Sequence, residues 1–336
     1  MQIGTGNNTY EWVDYWAQYP DTESARAGWV HPGMIVTGDG DIMTTHPGEP
    51  VVLTYDRSGQ LNGRWHVEAA EVHDITLVEE EGVEYLWLTD NGSKRQPALG
   101  YEYPPESPTA SGQVFKTTMD GQVIMRLTLP DLPDYKGSRC APTETAVNEV
   151  RHGGNGDVWV ADGYGEHYIH RYDKDGHYLG SINGTDGAGK FNQPHGIFVD
   201  TRKSPPEIYV ADRANGRIQV FDTEGRFKRM FGEDFLTLPS TMDAHGDQLI
   251  IGQLCARLTV VDIDDNLVCH LGVNDEVTQV EGWPNNKDDE GNVGPTSLLE
   301  PGKFNSPHGM TVDSEGNIYV AEWLIGGRMI KLAKVT

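Results

Sequence analysis

The chain has 336 residues, of which 51 are Asp or Glu and only 26 Lys or Arg, for a formal net charge of −25. An acidic surface with no basic run repels phosphate backbones and argues against DNA or RNA as a partner, and no apolar run approaches the length of a membrane span. Three widely spaced cysteines, Cys140, Cys255 and Cys269, suit reduced thiols better than a disulfide framework, and the acidic, polar first twenty residues lack the basic end and apolar stretch of a signal peptide, so a cytoplasmic location is expected.

In chain order, residues 1–28 come first and contain "TYEWVDYW", Thr9 to Trp16, an aromatic-rich stretch that reads as a strand. Copies of one unit follow. They begin with "MIVTGDGDIMTTH" and "VVLTYDRSGQ" from Met34, "VHDITLVEEEGVEYLWLTD" from Val72, and "GDVWVADGYGEHYIHRYDKDGHYLG" from Gly156. The fourth copy covers 195–231, a weaker fifth is "GDQLIIGQLCARLTVVDIDDNLVCHLG" from Gly246, and the sixth is "HGMTVDSEGNIYVAEW" with "RMIKLAK" from His308. Asp-Gly and Gly-Asn pairs between β-branched runs are hairpin signals. Six copies of a four-stranded meander predict an all-β, six-bladed β-propeller over 29–336, within a single domain spanning 1–336. The sixth copy runs out after three strands, so the N-terminal strand is expected to close the last blade and hide both edges. Three insertions, 91–112, 130–145 and 272–303, do not fit the blade pattern; such loops are often functional, and a place over a pocket mouth or plain surface decoration both remain open for them.

Two stretches nearly repeat each other, "FNQPHGIFVD" around His195 and "FNSPHGMTVD" around His308. The position before the first strand of each copy holds Pro32, His73, Asn148, His195, Ser240 and His308 in order. Histidine falls in copies two, four and six. Alternate blades of a six-fold propeller face the axis from directions roughly 120° apart, so three imidazoles are expected to meet at one point. A three-histidine set with an open position is how a catalytic zinc is held, which makes a divalent transition metal, zinc foremost, the expected cofactor. The plainer alternative is that Pro-His-Gly is a structural turn. His46, at the end of the second strand of copy one, is expected to face the same pocket, and Asn148 to orient a substrate oxygen. His66, His152, His167, His170, His177, His245 and His270 have no matching partner position and are expected in solvated surface roles.

The repeats resemble NHL repeats. The set "VHDI", "ADGYGEHYI", "PHGI", "VADRANGRIQVF" and "SPHGM" is similar to the peptidyl-α-hydroxyglycine α-amidating lyases, six-bladed NHL propellers, over roughly residues 30–335. The resemblance implies a catalytic zinc on His73, His195 and His308, a catalytic tyrosine at Tyr164 and an active-site arginine at Arg213. Two departures stand out. His46-Pro47-Gly48-Glu49 lacks the first-blade arginine, and Ser306 and Gly309 replace the methionine and the calcium-reaching aspartate around the last zinc histidine, which argues against calcium. The expected function is that of a metal-dependent lyase acting on a small polar hydroxylated or carbonyl-bearing molecule, such as a modified or oxidised sugar or an amino-acid derivative. Tyr164 would serve as acid and base; because a phenol has a pKa near 10, it needs the metal or Arg213 close by. The alternatives are a lactonase-like propeller hydrolase and a non-catalytic NHL binding scaffold.

Overall fold

The computed structural model describes residues 1–99 and 112–335. Its fold class is all-β, with six four-stranded antiparallel meanders forming the blades of a six-bladed β-propeller. The strands of blade one are Met34–Val36, Ile42–Thr45, Val51–Tyr55 and Leu61–His66, and those of blade two Val72–Glu80, Val83–Asp90, Gln113–Thr117 and Val123–Arg126. Blade three has Glu144–Val147, Val158–Ala161, Ile169–Tyr172 and Tyr178–Ile182, and blade four Pro194–Asp200, Glu207–Asp212, Arg217–Asp222 and Phe227–Phe231. Blade five has Pro239–His245, Gln248–Gln253, Arg257–Val261 and Leu267–Leu271. Blade six has Pro307–Val312, Ile318–Glu322 and Met329–Lys334, and Asn8–Val13 pairs antiparallel with the last of these as its fourth strand. A fifth strand, Gln2–Thr5, lies outside it.

The chain divides into two compact units, one of Met1–Glu71, Ser93–Ser107 and Asp243–Thr336 and the other of Val72–Gly92 and Pro108–Met242. In the first unit, Met34, Ile42, Leu53 and Tyr55 of blade one pack with Tyr319, Ala321 and Met329 of blade six. Tyr10 and Trp12 of the N-terminal strand join Ile250, Leu258, Met310 and Leu332 in another cluster. In the second unit, Val78, Trp87 and Val114 pack on Val158 and Tyr172, and Trp159 and Ile169 on Ile197 and Phe221. Equivalent positions of the second strands carry Trp87, Trp159, Tyr209 and Tyr319, all buried, so large rings recur where one blade meets the next.

The turns between third and fourth strands follow one recipe. Asp56, Asp173, Asp222 and Asp262 each accept backbone N–H groups two and four residues on, an Asx turn that needs a left-handed residue next. Glycine supplies it at Gly59, Gly176 and Gly225, while Asp265 adopts φ 66° in blade five, which is why that copy reads as the weakest. Of the insertions, 130–145 contains a short 3-10 turn, Pro133–Tyr135, and leads directly into the first strand of blade three. The 272–303 segment carries another, Asp275–Gln279, and a two-residue ladder between Asn286–Lys287 and Val293–Gly294. Residues 100–111 of the 91–112 insertion lie outside the described residues. No described helix is long and apolar enough to cross a membrane.

Candidate metal centre

The second unit holds one pair of histidines. His73 and His195 are buried, their ring centroids lie 4.9 Å apart, and their ligand nitrogens come within 4.8 Å of each other. His73 Nδ1 lies 2.6 Å from the Thr143 carbonyl and His195 Nδ1 2.9 Å from the Ser240 carbonyl. A carbonyl can only accept, so each Nδ1 carries the proton and Nε2 is the acceptor nitrogen.

The first unit holds a second pair. His308 Nδ1 donates to the Pro32 carbonyl at 3.0 Å, the same contact made a third time. His31 packs against it with ring centroids 4.5 Å apart, and their ligand nitrogens are also within 4.8 Å. His31 Nδ1 donates at 3.2 Å to Glu71, whose other oxygen takes a hydrogen bond from Lys94 at 2.7 Å. A carboxylate behind an imidazole fixes its tautomer and raises its basicity as a ligand.

Strand register explains the repetition. His73, His195 and His308 each occupy a bulge at the start of a first strand, and each bonds the carbonyl of the equivalent residue one blade on. The glycine of Pro-His-Gly belongs to the same contact. A Cβ on Gly196 would lie 2.6 Å from the Ser240 carbonyl oxygen, and one on Gly309 2.5 Å from that of Pro32. At these two positions glycine leaves room for the neighbouring backbone that a Cβ would meet. In blade two the place after the histidine belongs to Asp74, whose carboxyl burial pushes up to about 7 while the Thr76 hydroxyl opposes the shift.

Tyr164 and Arg213 join the pair in the second unit. Tyr164 O–H donates to His195 Nε2 at 3.1 Å, and its ring lies 5.4 Å from His73 and 5.6 Å from His195, edge to face in both cases. It sits in the turn after Val158–Ala161, where a Cβ on Gly163 would meet the Pro194 carbonyl at 2.7 Å. Arg213 is buried at the head of a 3-10 turn, its guanidinium 5.4 Å from the centre of the Tyr164 ring, with Gln193 accepting from it at 3.3 Å. Arg217 instead pairs with buried Asp212 at 2.8 Å.

Two other expected residues are not brought to these pairs. Asn148 lies beyond the far end of Glu144–Val147, against Asn155 and the 149–154 turn. The register Ala146↔Trp159 and Phe198↔Tyr209 makes Thr143, not Asn148, the counterpart of His195, because the first strand of this blade begins earlier than alignment on the second strand suggests. Thr143 is buried and its hydroxyl donates to the His195 carbonyl at 2.8 Å. His46 lines a cleft of about 320 Å³ whose described walls are Pro20, Thr22, Glu49, Val51, Leu53, Arg64, Trp65 and His66, and neither His31 nor His308 is among them. Its Nδ1 accepts from the Gly48 and Glu49 amides, and burial holds its pKa below the usual value.

His31 is the residue that repeat reading missed. Blade one spells His-Pro-Gly where blades four and six spell Pro-His-Gly, so the imidazole sits one place earlier and Pro32 takes the aligned position.

A second buried cluster lies in the same unit as Tyr164. Cys140, Asp162 and His170 offer a sulfur, an oxygen and a nitrogen within 4.8 Å of one another. Burial pushes the thiol and the carboxyl up and the imidazole down to about 4, each toward its neutral form. His170 was expected at the surface from its lack of a matching position; its ring is fully buried.

No protein-family model matches the chain. Over 268 residues it is 27% identical to peptidyl-alpha-hydroxyglycine alpha-amidating lyase 1 of Drosophila melanogaster, covering 74% of this chain and 42% of that one. Over 225 residues it is 28% identical to NHL repeat-containing protein 3 of Homo sapiens, covering 63% and 58%. The chain thus spans about half the length of the curated relatives it matches. Among solved structures it is similar to a streptogramin B lyase, with TM-score 0.58 and 15% identity over 98% of this chain and 99% of that one. It is also similar to a gluconolactonase from Xanthomonas campestris, with TM-score 0.59 and 13% identity over 98% and 94%. At these identities the structural likeness shows the fold alone. The chain is a six-bladed β-propeller that resembles NHL-repeat proteins and the peptidyl-α-hydroxyglycine α-amidating lyases.

Proposed function

We propose that the protein is a metal-dependent lyase that uses a divalent transition metal held on buried imidazoles, with His73 and His195 as the donors in the second unit and His308 and His31 as those in the first, zinc being the best match to an all-imidazole donor set. The observation that carries this reading is the threefold recurrence of one contact: Nδ1–H of His73, His195 and His308 each bound to a carbonyl of the next blade. It makes Nε2 the acceptor nitrogen in all three, which supports the reading because a metal-bound histidine usually gives its other ring N–H to such a partner. Calcium prefers oxygen ligands and fits this set poorly.

When bound, such a metal supplies Lewis acidity toward a substrate hydroxyl or carbonyl oxygen. The chain's own residues do the rest. The acceptor lone pair of His195 Nε2 can serve the Tyr164 hydroxyl or a metal, but not both. With a metal in place that hydroxyl is left to exchange a proton with the substrate. Arg213, over the phenol ring, stabilises negative charge developing on its oxygen as the proton leaves. Gln193 holds the Arg213 guanidinium, and Asn215 ties the same turn to Asp212 by donating its side-chain amide to that carboxylate. Residues 46–49 carry no arginine, so the substrate class proposed is a small polar hydroxylated or carbonyl-bearing molecule, a modified sugar or amino-acid derivative rather than a peptidyl glycine.

Elemental analysis of the purified chain after mild chelation tests the reading. The wild type should carry about one more equivalent of transition metal than His195→Ala or His31→Ala. Tyr164→Phe should keep that metal while losing roughly 10²–10⁴ in turnover, the usual worth of a general acid or base. Equal metal content in the wild type and His195→Ala overturns the assignment.

A further inference from the structure

In blades four and six the carboxylate that ends the second strand is answered by an arginine at the start of the third, and in blade two Asp90 is met there by Gln113. In blade four Arg217 stands opposite Asp212 and binds it at 2.8 Å, while Gln219, two residues on, donates to the same oxygen at 3.1 Å. In blade six Arg328 faces Glu322 at 3.3 Å, both fully buried. Blade three has neither arginine nor glutamine in that place. Asp162 has Tyr168 opposite it, and that phenol is turned to Asp134 instead. At the place of Gln219 stands His170, paired across the ladder with Val160, and Cys140 comes in from the preceding segment.

The result is a buried carboxyl enclosed by a thiol, an imidazole and a phenol. Cys140 is 3% exposed, and Asp162 and His170 are 0% exposed. Tyr135 O–H donates to Asp162 Oδ2 at 2.6 Å, and its oxygen lies 2.9 Å from His170 Nε2. Asp162 also takes the Ala141 amide at 2.6 Å and the Glu166 amide at 2.7 Å, which hold the carboxyl in one orientation. Behind the imidazole, His170 Nδ1 meets the Ser181 hydroxyl at 2.7 Å. With the Tyr135 proton given to Asp162, the 2.9 Å contact is made by His170 Nε2–H; because the Ser181 hydroxyl can donate or accept, the imidazole can carry its proton on Nδ1 instead and offer Nε2 as a ligand.

We propose that Cys140, Asp162 and His170 form a second metal site, for a thiophilic divalent cation of the zinc type, with the Tyr135 turn closing it from solvent. The dication takes the place that an arginine fills in blades four and six, supplying the positive charge a buried carboxylate requires. Sulfur, imidazole and carboxylate together are a zinc donor set and a poor one for calcium or magnesium. Binding exchanges the Cys140 thiol proton, released to solvent, for a metal–sulfur bond.

Cobalt(II) is the probe, because a cobalt–thiolate bond gives a near-ultraviolet charge-transfer band that an imidazole-only site cannot give. The metal-free full-length chain is titrated with cobalt beside four variants. The band should develop in the wild type, in His195→Ala and in the Cys255→Ser/Cys269→Ser double variant. It should be absent from Cys140→Ser, and His170→Gln, which copies blade four, should weaken cobalt binding by about tenfold or more. No band at excess cobalt overturns the proposal, as does a band that persists in Cys140→Ser or vanishes in the double variant. Should Cys140→Ser fail to fold, the double variant decides on its own.

Discussion

Gly309 and Gly196 show how a single missing methyl positions an imidazole. Each lies against the carbonyl that its preceding histidine reaches, so a Cβ there must push that stretch of backbone away. Gly309→Ala, with a Cβ 2.5 Å from the Pro32 oxygen, should destabilise the fold by about 1–3 kcal/mol, as overpacking does. Urea unfolding measures that cost, and a loss within error of zero would mean that the backbone at Pro32 yields freely. Much at this scale was legible: the positions of His73, His195 and His308 follow from the repeat. Asn148 and His31 mark where reading failed. The first strand of blade three starts earlier than its sequence suggests and puts Thr143 in place of Asn148, while the Pro-His inversion at 31–32 hides a histidine from an alignment that counts positions.

Among the elements, the strand Asn8–Val13 was the most legible. Its alternation puts Tyr10 and Trp12 in the core and Glu11 outward, and a blade that ends after three strands needs an edge partner. Trp12 is buried against Phe304, ring centroids 4.8 Å apart, with the Arg328 guanidinium over its face. Trp12→Ala should cost about 3–5 kcal/mol, the usual range for emptying a buried aromatic site, read as a fall in the denaturant midpoint. A cost under 1 kcal/mol, roughly that of an exposed position, would mean that this strand contributes little to holding blade six together. The additional strand Gln2–Thr5 was not legible, because its side chains are mostly exposed and carry no alternation. What holds it is the backbone ladder to Asn8–Glu11 and the single side chain of Ile3 packed on the core, too little to leave a pattern in residue type.

For the whole molecule, the first compact unit is assembled from three separate chain stretches, so its two ends cannot leave without opening blade six. We expect residues 1–336 to behave as one domain and to melt in a single calorimetric transition, with equal calorimetric and van't Hoff enthalpies; two resolved transitions would divide it instead. The blade count, the all-β class and the closing strand were determined by the sequence itself, because period-two alternation and Asp-Gly turns act between neighbours a few residues apart. The tertiary structure alone decided which nitrogen of each imidazole is the acceptor, since the carbonyls that decide it lie 70, 45 and 276 residues away in the chain. It also decided that Asp162 meets a cysteine, a histidine and a tyrosine where Asp212 and Glu322 meet arginine. The first depends on where the backbones of neighbouring blades come to rest and the second on how the segment before blade three folds over it, and packing of that kind leaves a record in coordinates rather than in any short run of residues.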